Sequence, residues 1–302
     1  MNNNLKKLLN QVVPNIKDNM AYNIRYNASN IDTSSNINVR IEKKIDTIGL
    51  NIYIKDNSVE TVSLPAIIDQ AGIEDNITND IYVGANSFVE ILVGCAIENS
   101  CDVDTKHSGI HIFHIKENSK VHYIEKHYGC GSFFKRTINT TTLLDMSPSS
   151  HLEIDTSQIE GIDNTKRILK GAIPSDSSII VNEKILTNFN QKASTSFNIK
   201  LFGKNSSATI ISKSVAKDKS VQTFSSKVNG NNLCNGHVEC NAVLLDNAKV
   251  TSTPKIVASN ILATITHEAA IGKINEEQIM KLMTLGLSEN EAQDIIIKSF
   301  IS

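Results

Sequence analysis

The chain has 302 residues, of which 40% are hydrophobic, so it can bury at least one sizeable core. Its 30 basic and 32 acidic side chains give a formal net charge of −2, which does not favour nucleic acid or an anionic membrane surface as a partner. No run of about 20 apolar residues is present, and five cysteines, an odd number, suit reduced thiols better than a disulfide framework. We therefore expect a soluble, cytoplasmic protein.

The chain is predicted to begin with a short helix and to continue in strands. Apolar residues recur at helical spacing at Leu5, Leu8, Leu9, Val12 and Val13, and Pro14 ends the run. From Ile37 onward the apolar period is two, as in a strand with one buried face. We expect a helical segment over residues 1–35 and a strand-rich core over residues 36–266.

A turn-and-strand signature recurs through this core. A polar residue and a small residue are followed by alternating apolar positions, in copies that begin at Asn86, Asn118, Ser149, Asp176, Asn205 and Asp246. Several successive copies lie roughly 30 residues apart, the scale of solenoid repeats. The pattern predicts a mainly β fold with a parallel β-helix core. An ordinary β-sandwich with Asn and Ser turns is the alternative.

Residues 267–302 are predicted to form a C-terminal helical region. Asn275 can cap a helix whose apolar stripe contains Ile279, Leu282 and Met283 and which ends at Gly286. Ser288 can cap a second helix, with Glu291 placed to complete a capping box. Ile295, Ile296 and Phe300 are expected to supply the buried face of that second helix.

Three blocks of sequence resemble the SufB/SufD family. The C-terminal block begins His267-Glu268-Ala269-Ala270-Ile271-Gly272 and continues through Glu277-Gln278-Ile279 and Gly286-Leu287-Ser288-Glu289. Two earlier blocks, Gly236-His237-Val238-Glu239-Cys240 and Val93-Gly94-Cys95, resemble preceding strands of the same family. The resemblance covers residues 93–302 and is most specific in its last third.

This resemblance implies a scaffold for the assembly and transfer of a transient iron–sulfur cluster. It implies a β-helix that associates into a two-fold pair, with C-terminal helices that dock a SufC-like ABC ATPase. A sulfur donor and apo acceptor proteins would be further partners. No cysteine precedes Cys95, so the N-terminal cysteine motif of many SufB proteins is absent. The chain resembles the compact form found in minimal two-component systems, in which a homodimer would replace the SufB–SufD heterodimer.

Cys240 is the first candidate ligand of a cluster. It aligns with the cysteine that SufB-type members use for assembly, and a soft thiolate is the ligand that iron and sulfide require. A small buried core residue is the structural alternative. His267 and Glu268 follow about one solenoid repeat later, so both are expected to approach Cys240 and to complete a labile coordination.

The other cysteines and histidines are weaker candidates. Cys234 could be an auxiliary thiol, but zinc binding by Cys234, His237 and Cys240 is disfavoured because His237 would point to the opposite strand face. Cys95 aligns with a family cysteine thought to receive sulfur as a persulfide, and a core thiol is nearly as good an explanation. Cys101 and Cys130 have no assigned role. Most of a dense histidine set is expected to face solvent: His107, His111, His114, His122 and His127.

Two other functions remain as alternatives. One is a β-helix carbohydrate-active enzyme, although the chain has no Trp for a sugar platform and no cluster of Asp on one face for calcium. The other is a structural SufD-like partner without its own cluster, against which Cys240 argues. No glycine-rich nucleotide loop occurs, so ATP hydrolysis is expected in a partner and the chain itself is expected not to be an enzyme.

Overall fold

The computed structural model describes residues 3–13, 16–17, 19–132 and 135–301, and it shows a parallel β-solenoid of about 8 turns. Helix α1 (Asn3–Val12) precedes the solenoid, and helices α2 (Glu276–Thr284) and α3 (Glu289–Ile301) follow it. Pro14, the expected end of the first helix, lies outside the described residues. None of these helices is long and apolar enough to cross a membrane.

The strands form two sheets that face each other across one interior. Sheet A contains β1 (Ala21–Tyr26), β2 (Ser29–Ser34), β5 (Val59–Ile68), β7 (Phe88–Glu98), β9 (Lys120–Cys130), β11 (His151–Glu160), β13 (Ser178–Thr187), β15 (Ser206–Ala216), β17 (Cys234–Leu244) and β19 (Ala263–Lys273). Sheet B contains β3 (Val39–Lys43), β4 (Leu50–Ile54), β6 (Glu74–Val83), β8 (Thr105–Ile115), β10 (Arg136–Met146), β12 (Asn164–Ile173), β14 (Lys192–Leu201), β16 (Val221–Gly230) and β18 (Lys249–Ala258).

Each turn of the solenoid adds one strand to each sheet. From β5 onward a strand pairs in parallel with the strand two places later in the chain, as β15 does with β17 and β17 with β19. Antiparallel pairs join β1 to β2 and β3 to β4 at the N-terminal end. The prediction of a parallel β-helix is therefore confirmed, and the β-sandwich alternative is wrong.

The Asn/Ser signature marks one corner of the solenoid. The first residue of five copies has a positive φ, with values of 56° at Asn86, 58° at Asn118, 59° at Ser149, 57° at Asp176 and 58° at Asn205. Asn and Asp tolerate this left-handed conformation better than most residues. The serine that follows is buried, and in the second copy Ser119 Oγ donates to the Gly84 carbonyl at 2.6 Å. Stacked turns of this kind align successive strands.

The sixth copy, at Asp246, belongs to the opposite corner. It lies between β17 and β18, where the Asp246 carboxylate accepts a hydrogen bond from the Asp218 backbone N–H at 3.1 Å. Both residues have positive φ, 57° and 58°. The signature therefore identifies a turn conformation that occurs at both corners. A further copy, at Asn57 and Ser58, has the same conformation, with a φ of 60° at Asn57.

Helix α1 covers the outer face of sheet A near the N-terminal end. Its apolar stripe, Leu5, Leu8, Leu9 and Val12, is buried as its helical spacing predicts. The stripe packs against Ile24, Ile67 and Ala96 on β1, β5 and β7. Gly94 of β7 lies directly beneath the helix, because a Cβ added there would come within 2.7 Å of Val12 Cβ.

Replacement of Gly94 by alanine is expected to destabilise the chain by about 1–3 kcal/mol, because the new methyl group overpacks the contact with α1. Denaturant unfolding followed by circular dichroism measures this change. Gly272→Ala is the matched control, since nothing lies within 4 Å of a Cβ added at that position in β19. Equal midpoints for the two variants would contradict the close packing of α1 on β7.

The C-terminal helices begin as the sequence predicts. The Asn275 side chain accepts a hydrogen bond from the Glu277 N–H, and Glu291 Oε2 accepts from the Ser288 N–H at 2.8 Å to form the capping box. The expected buried face of α3 is wrong in part. Ile295 is 45% exposed, and the face that packs on β15 next to Val215 contains Ile297 and Ile301. The exposed surface of α2 includes Met283.

The last turn of the solenoid, β18 and β19, is exposed along most of its length. Its exposed apolar side chains include Ile256, Leu262 and Ile271, and Ile261 in the turn between the strands is 100% exposed. Strands β1 and β2 lie before residue 36, and β19 extends to Lys273. The domain boundaries 1–35, 36–266 and 267–302 stay a prediction.

Candidate functional site

Cys240 lies on β17 with its side chain inside the solenoid. It is in register with Ser212 on β15 and Ala269 on β19, and only 1% of it is exposed. Burial raises the pKa of the Cys240 thiol, and the Ser252 side chain on β18 acts in the opposite direction. The thiol is therefore protonated near neutral pH in the resting chain, one turn from the C-terminal end of the solenoid.

His267 shares the inward face with Cys240. It lies on β19 in register with Val238, which is buried two residues before Cys240 and points the same way. His267 Nε2 is buried and has no hydrogen-bond partner among the described residues. Burial and the nearby His237 lower the His267 pKa, so its imidazole is neutral near pH 7. Neutral imidazole is the form that binds metal ions.

Glu268 lies on the other side of sheet A. It is in register with Glu239, and both face outward from the solenoid. Adjacent residues of a strand point to opposite faces, so His267 and Glu268 cannot both point towards Cys240. The expectation that both approach Cys240 is corrected: the structure brings His267 to that face and leaves Glu268 exposed outside.

Cys234 and His237 are arranged as strand parity predicts. Cys234 is fully buried on the inward face of β17, six residues before Cys240. His237 points outward, where its Nδ1 lies 2.8 Å from Thr266 Oγ1. The two cysteines and His237 therefore do not converge, which agrees with the argument against a zinc site.

Cys95 is also an interior residue. It lies on β7 in register with His127 on β9 and is 1% exposed. Burial raises the pKa of its thiol well above the usual value, and the neighbouring Glu125 carboxylate adds to this effect. The resting chain therefore does not present Cys95 as a reactive surface thiolate.

The expectation that most of the local histidines face solvent is wrong for three of them. His107, His111 and His127 are buried inside the solenoid, whereas His114 and His122 lie on the outer faces and are partly exposed. Burial lowers the pKa of His111 to about 4. The interior is therefore polar in the turns that contain β8 and β9.

Buried charges extend this polar interior. Arg167 lies between two carboxylates, with Nη2 3.5 Å from Glu125 Oε2 and Nη1 3.6 Å from Glu183 Oε1. Burial opposes ionisation of Glu125, but Arg167 and His127 outweigh it and lower the Glu125 pKa to about 2. Glu183 accepts hydrogen bonds from Thr195 and Ser212, and burial raises its pKa. Ser212 on β15 is in register with Cys240 on β17, so the buried polar group that contains Glu183 extends to the strand next to Cys240.

Near the C-terminal end of the solenoid, the Cys240 thiol and the His267 imidazole share the inward face of sheet A. A thiolate binds iron, and a neutral imidazole is a second, exchangeable ligand. Ser252 is the neighbour of this site that sequence reasoning missed, because only the packing of β18 against β17 places it near Cys240. No sequence pattern identifies it.

Comparison with known proteins matches most of the chain to one family. Residues 69–300 match the family described as SUF system FeS cluster assembly, SufBD core domain. An iron–sulfur cluster assembly SufBD family protein of Methanocaldococcus jannaschii is 28% identical over 239 residues, which cover 78% of this chain and 74% of that protein. A SufBD family protein of Methanothermobacter thermautotrophicus strain Winter is 29% identical over 231 residues, which cover 74% of this chain and 54% of that protein. The chain belongs to the SufB/SufD family of the SUF system for iron–sulfur cluster assembly.

Proposed function

We propose that this chain is a scaffold on which an iron–sulfur cluster is assembled and held for transfer, with Cys240 and His267 as its ligands. The observation that carries the proposal is their common placement on the inward face of sheet A, with His267 on β19 in the exposed last turn and Cys240 on β17 one turn before it. The cluster is the cargo of this scaffold, and the chain performs no catalysis of its own.

The protonation states of the two side chains suit this role. The raised pKa of Cys240 keeps its thiol protonated until a metal ion displaces the proton, so the ligand forms only when iron arrives. His267 is already neutral and has an unbonded Nε2 among the described residues. One thiolate and one imidazole leave iron positions for sulfide and for ligands of an acceptor, which favours release.

Glu268 has a different part in this proposal. It lies outside the solenoid beside Glu239, on a strand that is exposed along most of its length. Glu268 would reach the cluster only after a partner rearranges the end of β19. Cys234 is an auxiliary thiol on β17, the strand of Cys240. Cys95 would take sulfane sulfur from a persulfide of the sulfur donor, whose thiolate leaves, and only when the N-terminal turns open to that donor.

Self-association is proposed to occur through the last turn. Ile256, Leu262 and Ile271 expose apolar surface on β18 and β19 and in the turn between them, and Ile261 is fully exposed there. Burial of these side chains against a second copy would stabilise a homodimer and would shield the cluster from water. The dimer would work in the cytoplasm, where thiols stay reduced.

A SufC-like ABC ATPase is the proposed partner of the C-terminal helices. Residues on α2 and α3 and in the turn between them expose large apolar side chains, with Met280 60%, Met283 43%, Leu285 79% and Ile295 45% exposed. Buried contacts of α3 with β15 fix these helices on the solenoid. An exposed apolar helix face on a fixed base is typical of a protein-docking surface.

The Leu285→Asp variant is expected to lose binding to the SufC-like ATPase by about tenfold or more, because a charge replaces an apolar contact. Co-purification and titration with the purified ATPase subunit measure the loss. Ile45→Asp is the matched control, since Ile45 is 98% exposed at the other end of the chain. Unchanged binding of Leu285→Asp would remove the C-terminal helices from the proposal.

Anaerobic reconstitution of the purified full chain with iron and sulfide tests the scaffold function. The proposal predicts a visible charge-transfer spectrum, protein-bound iron and sulfide, and transfer to an apo-ferredoxin. A folded chain that binds the ATPase but takes up neither iron nor sulfide would instead favour the structural SufD-like function.

A further inference from the structure

His122, Glu153 and Asp155 converge on the outer face of sheet A, far in sequence from the cysteines of the cluster site. His122 lies on β9 in register with Glu153 on β11, and Asp155 lies two residues further along β11. One ligand atom of each residue lies within 4.8 Å of the others. Two neighbouring ligands of a tetrahedral ion at about 2.0 Å from the metal are about 3.3 Å apart, so the ring and the carboxylates are already close to ligand spacing.

The histidine is held with one nitrogen directed at this group. His122 Nε2 is 2.7 Å from Asp155 Oδ2, and Nδ1 on the other side of the ring is 3.9 Å from Glu90 Oε1. A carboxylate near the second ring nitrogen orients a metal-binding histidine and increases its basicity. Glu90 Oε1, at 3.9 Å, is beyond hydrogen-bond distance of Nδ1 and places a negative charge on that side of the ring.

Asp155 is oriented by a separate contact. Its other oxygen, Oδ1, accepts a hydrogen bond from Asn182 Nδ2 on β13 at 2.8 Å. Oδ2 therefore faces His122 while Oδ1 is held by the amide. The ligands come from two paired strands and their supports from the strands on either side, so the sheet itself fixes the spacing of the group.

We propose that His122, Glu153 and Asp155 form a binding site for a divalent first-row transition metal ion on the outer face of sheet A. One imidazole and two carboxylates form a donor set of nitrogen and oxygen that suits Zn²⁺, Fe²⁺ and Mn²⁺. Water completes the coordination, because His122 and Asp155 are partly exposed and Glu153 is exposed. The site is separate from the proposed cluster ligands Cys240 and His267, which lie on the inward face of sheet A.

Titration of the chelator-treated full chain with Mn²⁺, followed by electron paramagnetic resonance of the free ion, tests the site. Mn²⁺ prefers oxygen and nitrogen ligands to thiolates, so the interior cysteines do not compete. One bound Mn²⁺ per chain is expected, and Zn²⁺ should displace it because Zn²⁺ binds such sites more tightly. The Cys240→Ala variant should bind Mn²⁺ as the wild type does.

Variants of two of the three ligands decide the assignment. His122→Ala and Glu153→Gln are each expected to weaken Mn²⁺ binding about tenfold or more. His114→Ala is the matched control, because His114 also contacts two carboxylates, Asp80 and Asp145, on the outside of sheet B. Absence of Mn²⁺ binding by the wild type, full binding by both ligand variants, or an equal loss in the control would overturn the proposal. Glu153 is exposed, so Glu153→Gln is informative even if His122→Ala unfolds.

Discussion

Replacement of Cys240 by alanine is expected to abolish the iron–sulfur cluster that forms on the wild-type chain during anaerobic reconstitution. The physical reason is that the proposed site has one thiolate, Cys240, and that the remaining imidazole of His267 alone would bind the cluster too weakly to hold it. Cys240 lies on the same inward face as His267, whereas Cys95 lies on β7 and Cys101 in the turn that follows β7. The visible charge-transfer absorption per chain measures the effect.

Two further variants make this experiment specific. Cys101→Ala removes an exposed thiol and is expected to leave the cluster absorption unchanged. His267→Ala is expected to form the cluster but to lose it faster to an apo-ferredoxin, because one protein ligand is missing. Circular dichroism checks that each variant is folded. A full cluster spectrum in Cys240→Ala would contradict the assignment of Cys240.

Replacement of Arg167 by methionine is expected to destabilise the chain by about 3–5 kcal/mol, because it leaves the buried carboxylates of Glu125 and Glu183 without their shared cation. Lys166→Met is the matched control, since Lys166 is the exposed neighbour on the same strand. Urea unfolding of the full chains at pH 7 measures the difference in midpoint and slope. Equal stability of the two variants would contradict the buried ion group.

The effect of Arg167→Met is expected to depend on pH. The Glu125 pKa is about 2 in the folded wild type and 4.5 as the reference value, so its ionised form stabilises the fold above pH 4.5. That contribution is lost as the pH falls from 4.5 towards 2. Without Arg167, burial favours the protonated form of Glu125 and Glu183. Lowering the pH protonates both carboxyl groups and so removes the cost of two buried, unpaired charges. The difference in the free energy of unfolding between wild type and Arg167→Met should therefore decrease as the pH falls from 7 through 4.5.

The repeated corners of the solenoid could be predicted because their chemistry is local. An Asn or Asp that tolerates positive φ, followed by a small residue that fits inside the turn, is recognisable in one stretch of sequence, as at Asn118 and Ser119. The capping box between Ser288 and Glu291 is local in the same sense. The turn conformation does not reveal which corner it occupies, so the sequence cannot show that the copy at Asp246 lies at the opposite corner, between β17 and β18.

Features that depend on tertiary packing could not be predicted in this way. Ile295, Ile296 and Ile297 put an apolar side chain on several faces of α3, so the sequence does not reveal which face contacts β15. The buried histidines were assigned to solvent because a polar side chain is usually exposed. His127 is instead satisfied inside the solenoid by Glu125, 3.2 Å away.

The candidate site was partly predictable. Cys240 is in register with Ala269, and His267 shares its face because it lies two residues before Ala269 on β19. The spacing of about one repeat between Cys240 and His267 is visible in the sequence. Adjacent residues of a strand point to opposite faces, so the sequence alone predicts that Glu268 lies on the outer face when His267 lies on the inner one. The contribution of Ser252 depends on sheet-to-sheet packing across the interior.

Mössbauer spectroscopy of the full wild-type chain, reconstituted anaerobically with ⁵⁷Fe and sulfide, tests the central claim most directly. The scaffold proposal predicts that most of the bound iron gives the quadrupole doublets of an iron–sulfur cluster, with a subsite altered in His267→Ala. A spectrum that contains only mononuclear high-spin ferrous iron, from a folded chain that binds its ATPase, would contradict it.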